Sequence, residues 1–279
     1  MAPRSWSSRL SPRQLAWRGA LAAVTGAAMV TGIYPLVPHL LMAVSRRRKG
    51  RPALAGQLGV ALREWRTALA MTAARPLGFC PLPGHQGRGP RPIIVIHGYA
   101  MNGANFRPLA RRLAAAGLGP VIGFEYWSLG KTGSAARRLA ELIEDVRART
   151  ECDQVDVIGH SMGGVVGRYH VSLGGGDGTV ANLITLGSPH HGTDVSAVGI
   201  GRPAQELLLG SSLIQRLDAA PPPRLTKLTV IWSRADALVP GSRQARVTGA
   251  DELLFDDLGH LGLLTDPRVA DAIVERLKR

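Results

Sequence analysis

From residue 92 to the end of the chain, short apolar runs alternate with longer stretches in which apolar residues recur every three or four positions. The runs "PIIVIHG", "GPVIGFEY", "QVDVIGHS", "NLITLGS", "KLTVIWS" and "DELLFDD" read as strands. "NFRPLARRLAAAG", "GSAARRLAELIEDVRART" and "DPRVADAIVERLKR" read as amphipathic helices. Strands that are apolar at nearly every position are buried on both sides, the situation of a parallel sheet covered by helices. The pattern predicts an α/β domain over residues 92–279, with a mostly parallel sheet of about six strands and helices on both faces. Ligand chemistry in such a sheet gathers at the carboxyl ends of its strands.

The first ninety residues follow a different pattern. Residues 19–44, "GALAAVTGAAMVTGIYPLVPHLLMAV", carry no ionisable side chain apart from His39 and Tyr34. They are long enough for a bilayer core of about 30 Å. The segment predicts a retained membrane anchor within residues 1–51, since "RRRKG" follows directly where a cleaved signal would leave small residues. Pro35 and Pro38 would kink a spanning helix, so a re-entrant or hairpin form stays open, as does a buried core helix. Residues 52–91 hold an amphipathic helix and a linker rich in Pro and Gly. Leu54, Leu58, Leu62, Trp65 and Leu69 recur there at helical spacing, on a face that could meet the membrane or the main domain.

Charge sharpens this division. The formal net charge is +14, yet Arg4, Arg9, Arg13, Arg18, Arg46, Arg47, Arg48, Lys49 and Arg51 all precede the first acidic residue, Glu64. Much of the excess therefore flanks the apolar segment, where anionic headgroups are the natural counterpart. No nucleic-acid motif accompanies it. The denser basic cluster lies after the segment, which by the positive-inside tendency places the main domain on the cytoplasmic side of an inner membrane. Cys80 and Cys152 have neither framework nor metal spacing and read as free thiols.

One strand end stands apart. "VIGHSMGG" sets Ser161 between a strand and a helix, in the pattern Gly159-His160-Ser161-Met162-Gly163 followed by Gly164. This is the G-x-S-x-G turn that holds a nucleophilic serine in a strained conformation, with glycines where side chains would clash. A serine hydroxyl needs a base, and the base an orienting acid. In this arrangement the chain order is Ser, acid, His. His260 in "DDLGHLGLLTD" and Asp236 in "KLTVIWSRADALVP" meet that order. His190 and His191 have no intervening strand to carry the acid and read as loop or pocket residues. The oxyanion donors are expected at the amides of Met162 and of Tyr99 in "VIHGYAMNG", with Ala100 as the alternative for the second. Gly98 would let that backbone come close.

"VIHGY", "GHSMGG", "GSPHHGT", "SRADALVP" and "GHLGLL" together resemble bacterial triacylglycerol lipases and related esterases of the α/β-hydrolase superfamily, over roughly residues 90–279. The resemblance implies the α/β-hydrolase fold, with Ser161 as nucleophile, Asp236 as acid, His260 as base, and Tyr99 with Met162 as oxyanion donors. It implies ester or lipid substrates and a mechanism that requires no cofactor; some relatives carry a calcium site, but its paired aspartates are not found in this sequence and no residue is assigned to a metal. An acyltransferase or thioesterase would use the same acyl-enzyme, and a non-catalytic binding module is the reading from another class. No protein partner is called for by the sequence. Between Asp194 and Asp236, "PAQELLLGSSLIQRLDAA" predicts one extra helix, either an apolar wall over the site or a packed surface helix.

Overall fold

The computed structural model describes residues 33–48 and 56–279. Six strands, β1 (Ile93–Ile96), β2 (Val121–Phe124), β3 (Val155–His160), β4 (Val180–Leu186), β5 (Lys227–Ser233) and β6 (Asp251–Phe255), form one sheet in the order β2-β1-β3-β4-β5-β6. Every neighbouring pair is parallel. The helices are α1 (Ile33–Arg48), α2 (Gln57–Ala74), α3 (Arg107–Ala115), α4 (Thr132–Thr150), α5 (Met162–Leu173), α6 (Arg202–Glu206), α7 (Ser212–Ala219), α8 (Ser242–Ala245), α9 (Gly262–Thr265) and α10 (Pro267–Leu277).

Alternation along β1 divides the core in two. Ile93 and Val95 pack with Phe106, Leu109 and Leu113 near and on α3, and with Val269 and Ile273 of α10. Ile94 and Ile96 face the other way, onto Leu139, Ile143 and Val146 of α4 and Val165 and Val166 of α5. Successive strand residues point to opposite faces, so a wholly apolar strand requires helices on both. Local chemistry sets the ends of several helices. Pro108 opens α3, the Asp266 side chain accepts the Arg268 N–H at 2.9 Å ahead of Pro267 in α10, and α4 stops where Glu151 turns left-handed at φ 54°.

Since all six strands run the same way, the segments after β1, β3, β4, β5 and β6 emerge along one edge of the sheet. Ser161, Gly187, Asp236 and His260 all lie on those segments.

Two expectations change. The extra helix after β4 is two helices, because Gly210 at φ 70° breaks the run and Ser211 caps α7 by accepting the Ile214 N–H at 3.3 Å. Leu207, Leu213 and Leu217 are buried in the α4–α5 side of the core, so α7 is a packed helix. Helix α2 packs on the main domain, but through a face other than the expected leucine stripe. Val60, Ala61, Glu64, Ala68 and Met71 are buried, while Leu58 and Leu62 are exposed. The small Ala61 and Ala68 permit close approach, and Ala68 and Met71 join the α3–α10 side of the core.

Residues 19–32 of the expected anchor lie outside the described residues. Its remainder falls in α1, with Pro38 inside the helix. Among the described residues no helix is long and apolar enough to cross a membrane. The Gln57 side chain donates to the His39 carbonyl at 2.9 Å and ties α2 to α1.

Ile143, fully buried between α4 and the sheet, gives a test of this packing. Ile143→Ala is expected to lower stability by about 2–5 kcal/mol, as large-to-small core changes do, read from the midpoint of chemical denaturation.

Candidate active site

Ser161 sits at φ 56°, ψ −124°, one of three non-glycine residues with positive φ among the described residues. Such a conformation costs about 1–3 kcal/mol and persists only when its surroundings over-determine it. Here they do. The Ser161 N–H donates to the Leu186 carbonyl at 2.8 Å, which fastens the turn to β4. A side chain at Gly159 would lie 2.5 Å from Gly164 Cα, and one at Gly163 would fall on the Ile96 carbonyl oxygen. At Gly164 it would meet the Ser188 side chain. The glycines around the serine are thus required for space, because α5 starts directly against the ends of β1 and β3.

The acid and base candidates are joined. His260 Nδ1 lies 2.8 Å from Asp236 Oδ2, with Asp236 only 1% exposed and His260 3%. The second carboxylate oxygen, Oδ1, accepts the N–H groups of Leu238 at 2.8 Å and Val239 at 3.0 Å. A carboxylate only accepts, so the imidazole proton sits on Nδ1 and leaves Nε2 as the basic nitrogen. Burial by itself would raise Asp236, but the imidazolium charge and hydrogen bond of His260 and the two amides hold its carboxyl below the usual range. Burial pushes His260 down, yet the charge and hydrogen bond of Asp236, aided by the charge of Glu64, raise it above the ordinary histidine value. Room for the pair comes from Gly187 at φ 55°, where a Cβ would stand 2.9 Å from Asp236 Oδ2 and 3.2 Å from His260 Nδ1. Among the described residues no hydrogen bond joins the Ser161 hydroxyl to this imidazole. Such bonds are often formed only once substrate is bound.

The loop after β1 lies over the serine. A Cβ at Gly98 would approach Ser161 Cβ to 3.0 Å, so this glycine allows the loop to close on the turn. Of the two amides considered for the second oxyanion donor, that of Ala100 is already given to Ser128 Oγ at 3.1 Å. The Tyr99 hydroxyl bridges the backbone of Ile200, donating to its carbonyl at 2.8 Å and accepting its N–H at 2.9 Å. Met162 is the first residue of α5, where the helix dipole favours negative charge. His97 supports the loop from below. Its ring stacks on Tyr126 at 4.6 Å, and the Tyr126 hydroxyl donates to the His97 carbonyl at 2.8 Å.

The two other histidines on the strand-end segments, His190 and His191, are engaged elsewhere. His190 Nε2 is 2.9 Å from Thr185 Oγ1, and burial, with the charges of Arg168 and His191, keeps the ring neutral. His191 lies between Asp218, 2.8 Å from Nδ1, and the Arg246 carbonyl, 2.8 Å from Nε2.

Two residues beside the pair went unmarked in the sequence. His160 Nε2 is 3.0 Å from the His260 carbonyl, and Glu64 of α2 accepts the Leu261 and Gly262 N–H groups at 2.8 and 2.7 Å. His160 occupies the variable position of the serine turn, and Glu64 lies nearly two hundred residues upstream. Only adjacency to Ser161 could have signalled the first, and no sequence pattern signals the second.

The sheet, the strained serine turn and the loops at its edge are those of the α/β-hydrolase fold. Comparison with known proteins agrees with the resemblance seen in the motifs. Residues 133–199 match a family described as a PGAP1-like alpha/beta domain. The mature form of the Bacillus licheniformis lipase BlEst2 is similar in structure, with a TM-score of 0.58 at 16% identity over 67% of this chain and 91% of that one. Aspergillus fumigatus lipase B has a TM-score of 0.58 at 18% identity, covering 70% of this chain and 54% of that one. An α/β-hydrolase fold protein from Burkholderia ambifaria has a TM-score of 0.53 at 16% identity, covering 69% and 92%.

The tightness of the turn is open to test. Gly163→Ala forces a methyl onto the β1 backbone, which cannot rotate away, and should destabilise by about 1–3 kcal/mol or more, as overpacking does. Thermal unfolding of the purified variant reads this directly; an unchanged melting temperature would show that β1 and α5 can separate.

Proposed function

We propose that the protein is a serine hydrolase of carboxylic esters of lipid type, held at a membrane by its N-terminal segment. The observation that carries this reading is the buried 2.8 Å pair of His260 and Asp236 on the strand-end segments beside the strained Ser161. In the proposed reaction the Ser161 hydroxyl attacks the ester carbonyl while His260 Nε2 takes its proton. Asp236 keeps the imidazole in the required tautomer and stabilises the imidazolium. The amides of Met162 and Tyr99 receive the oxyanion, His260 returns the proton to the leaving alcohol, and water discharges the acyl-enzyme by the reverse sequence. The structurally similar proteins named as lipases support lipid esters as the substrate class.

The membrane part of the proposal draws on the apolar segment of residues 19–44 and on the outer surface of α1 and α2. Leu36, Val37, Leu40, Leu41, Val44, Leu58 and Leu62 are all exposed there, a run that ordinary soluble surfaces avoid. Arg46–Arg48, Lys49 and Arg51 supply the adjoining positive charge. The proposed orientation puts residues 92–279 on the cytoplasmic side of a bacterial inner membrane.

Ser161→Ala should lose about 10⁴ to 10⁶ of turnover, and His260→Ala nearly as much, the usual effect of losing a member of such a triad. Asp236→Asn should cost about 10⁴, since it spoils the tautomer while leaving the shape intact. Because His260 is raised, kcat/KM for a short-chain ester should climb with pH through a midpoint above the ordinary value of 6.5. Loss of activity in His190→Ala with His260→Ala active would overturn the assignment.

The full chain should pellet with membranes and resist both high salt and alkaline carbonate, whereas a chain lacking residues 1–51 should be soluble and still cleave short-chain esters. Complete release by salt would remove the anchor from the proposal, because salt only weakens screened charge contacts. Protease protection in oriented vesicles tests the orientation separately.

A further inference from the structure

The loop that carries His260 is gripped from outside the domain's strand-and-helix repeat. Glu64 projects from the middle of α2 and is 4% exposed. Its Oε2 accepts the Leu261 N–H at 2.8 Å and its Oε1 the Gly262 N–H at 2.7 Å. The Leu261 N–H belongs to the same peptide unit as the His260 carbonyl, and that carbonyl receives His160 Nε2 at 3.0 Å from the opposite side. Since a carbonyl only accepts, His160 Nε2 must carry the proton; burial and the charge of His260 push this ring down to about 3 and keep it neutral. The peptide plane after the base is therefore held at both ends, by the residue before the nucleophile and by a carboxylate from the N-terminal helix.

Two further contacts make this a built arrangement. A Cβ at Gly259 would fall on Glu64 Cγ and Cδ, although the backbone at Gly259 lies outside the left-handed region; glycine is needed there to admit the carboxylate. Beside Glu64, the Arg63 guanidinium donates to the Asp257 carbonyl at 2.9 Å, so α2 holds the loop on both sides of His260.

We infer that Glu64 is a positioning residue for the base: it fixes the His260 loop and, when ionised, adds a second negative charge that acts on the imidazole. The inference rests on the hydrolase reading above. Stability alone does not account for a carboxylate at this place. Burial raises Glu64 from the ordinary 4.5 to about 7, against the lowering by the two amides and His260, with Asp236 raising it further. The folded chain thus keeps the proton up to about pH 7 while the unfolded chain releases it near 4.5, and raising the pH across that window works against folding. Ionised, Glu64 raises His260, so the charge acts on the base as well as on the loop.

The test uses the full chain, Glu64→Gln against wild type, with steady-state kinetics on a short-chain ester over pH and uptake of a fluorophosphonate. Gln keeps the shape, but its NH2 group opposes one of the two amides and its charge is gone. The expected result is a fall in kcat of about ten- to a hundredfold, the scale of a slightly misplaced catalytic group, with little change in KM. The acid limb of kcat/KM should move to lower pH, since the anion no longer raises His260. A folded Glu64→Gln with wild-type kcat and an unmoved acid limb would overturn the role of Glu64. Should the variant not fold, amide exchange in the wild type decides. Protection of Leu261 and Gly262 comparable to the strands supports the grip, and rapid exchange at both overturns it. Wild type that neither cleaves esters nor takes up fluorophosphonate would instead overturn the hydrolase reading itself.

Discussion

The positive φ of Ser161 is the constraint around which the site is arranged. A non-glycine residue holds that conformation only if neighbouring backbone leaves it nowhere else to go, and here the neighbours are β1, β3, β4 and α5 together. Glycine at 159, 163 and 164 lets α5 begin against the Ile96 carbonyl, and the Ser161 N–H is spent on Leu186 of β4. Closing this turn fixes the serine relative to the Gly98 loop on one side and to Gly187, which clears space for Asp236 and His260, on the other. A change of one methyl group anywhere in that contact is felt by all four elements, because packed interiors have no slack at this scale.

Around the turn, the buried carboxylates are held by hydrogen bonds from backbone amides and from an imidazole. Asp236 accepts two amides and the imidazole; Glu64 accepts two amides. Each carboxylate is satisfied by backbone amides, and each, when ionised, favours a proton on His260. His160 can sit against His260, with ring centroids 4.7 Å apart, because it remains neutral and adds no second positive charge. Low local dielectric strengthens each of these interactions and makes a missing partner costly.

The N-terminal helices join this centre to the outside of the molecule. One face of α2 carries Glu64, Ala68 and Met71 inward, and the opposite face leaves Leu58 and Leu62 exposed beside the apolar residues of α1. Just after α2, the Arg75 guanidinium donates to the Ala100 carbonyl, while the Asn102 side chain donates to the Arg75 carbonyl at 3.0 Å. The same stretch of chain therefore contacts both the His260 loop and the loop after β1.

Much of this was readable before any coordinates. Apolar runs buried on both faces imply a parallel sheet, because each strand needs helices above and below. The Gly-rich turn around Ser161 announces itself, because its steric requirement is met by adjacent residues. That Asp236 and His260 come together was legible in their chain order, since each follows a strand that ends on the same edge. Three things were decided only by tertiary packing. The buried face of α2 is not its leucine stripe but Val60, Ala61, Glu64, Ala68 and Met71, where the Glu64 carboxylate finds two main-chain amides. The Ala100 amide is taken up by Ser128, from a loop twenty-eight residues away. Glu64 meets Leu261 across 197 residues, and a hydrogen bond between a helix and a distant backbone leaves no periodicity to read: its partners are main-chain amides, which every residue but proline possesses, so only the folded chain can say which of them the carboxylate will find.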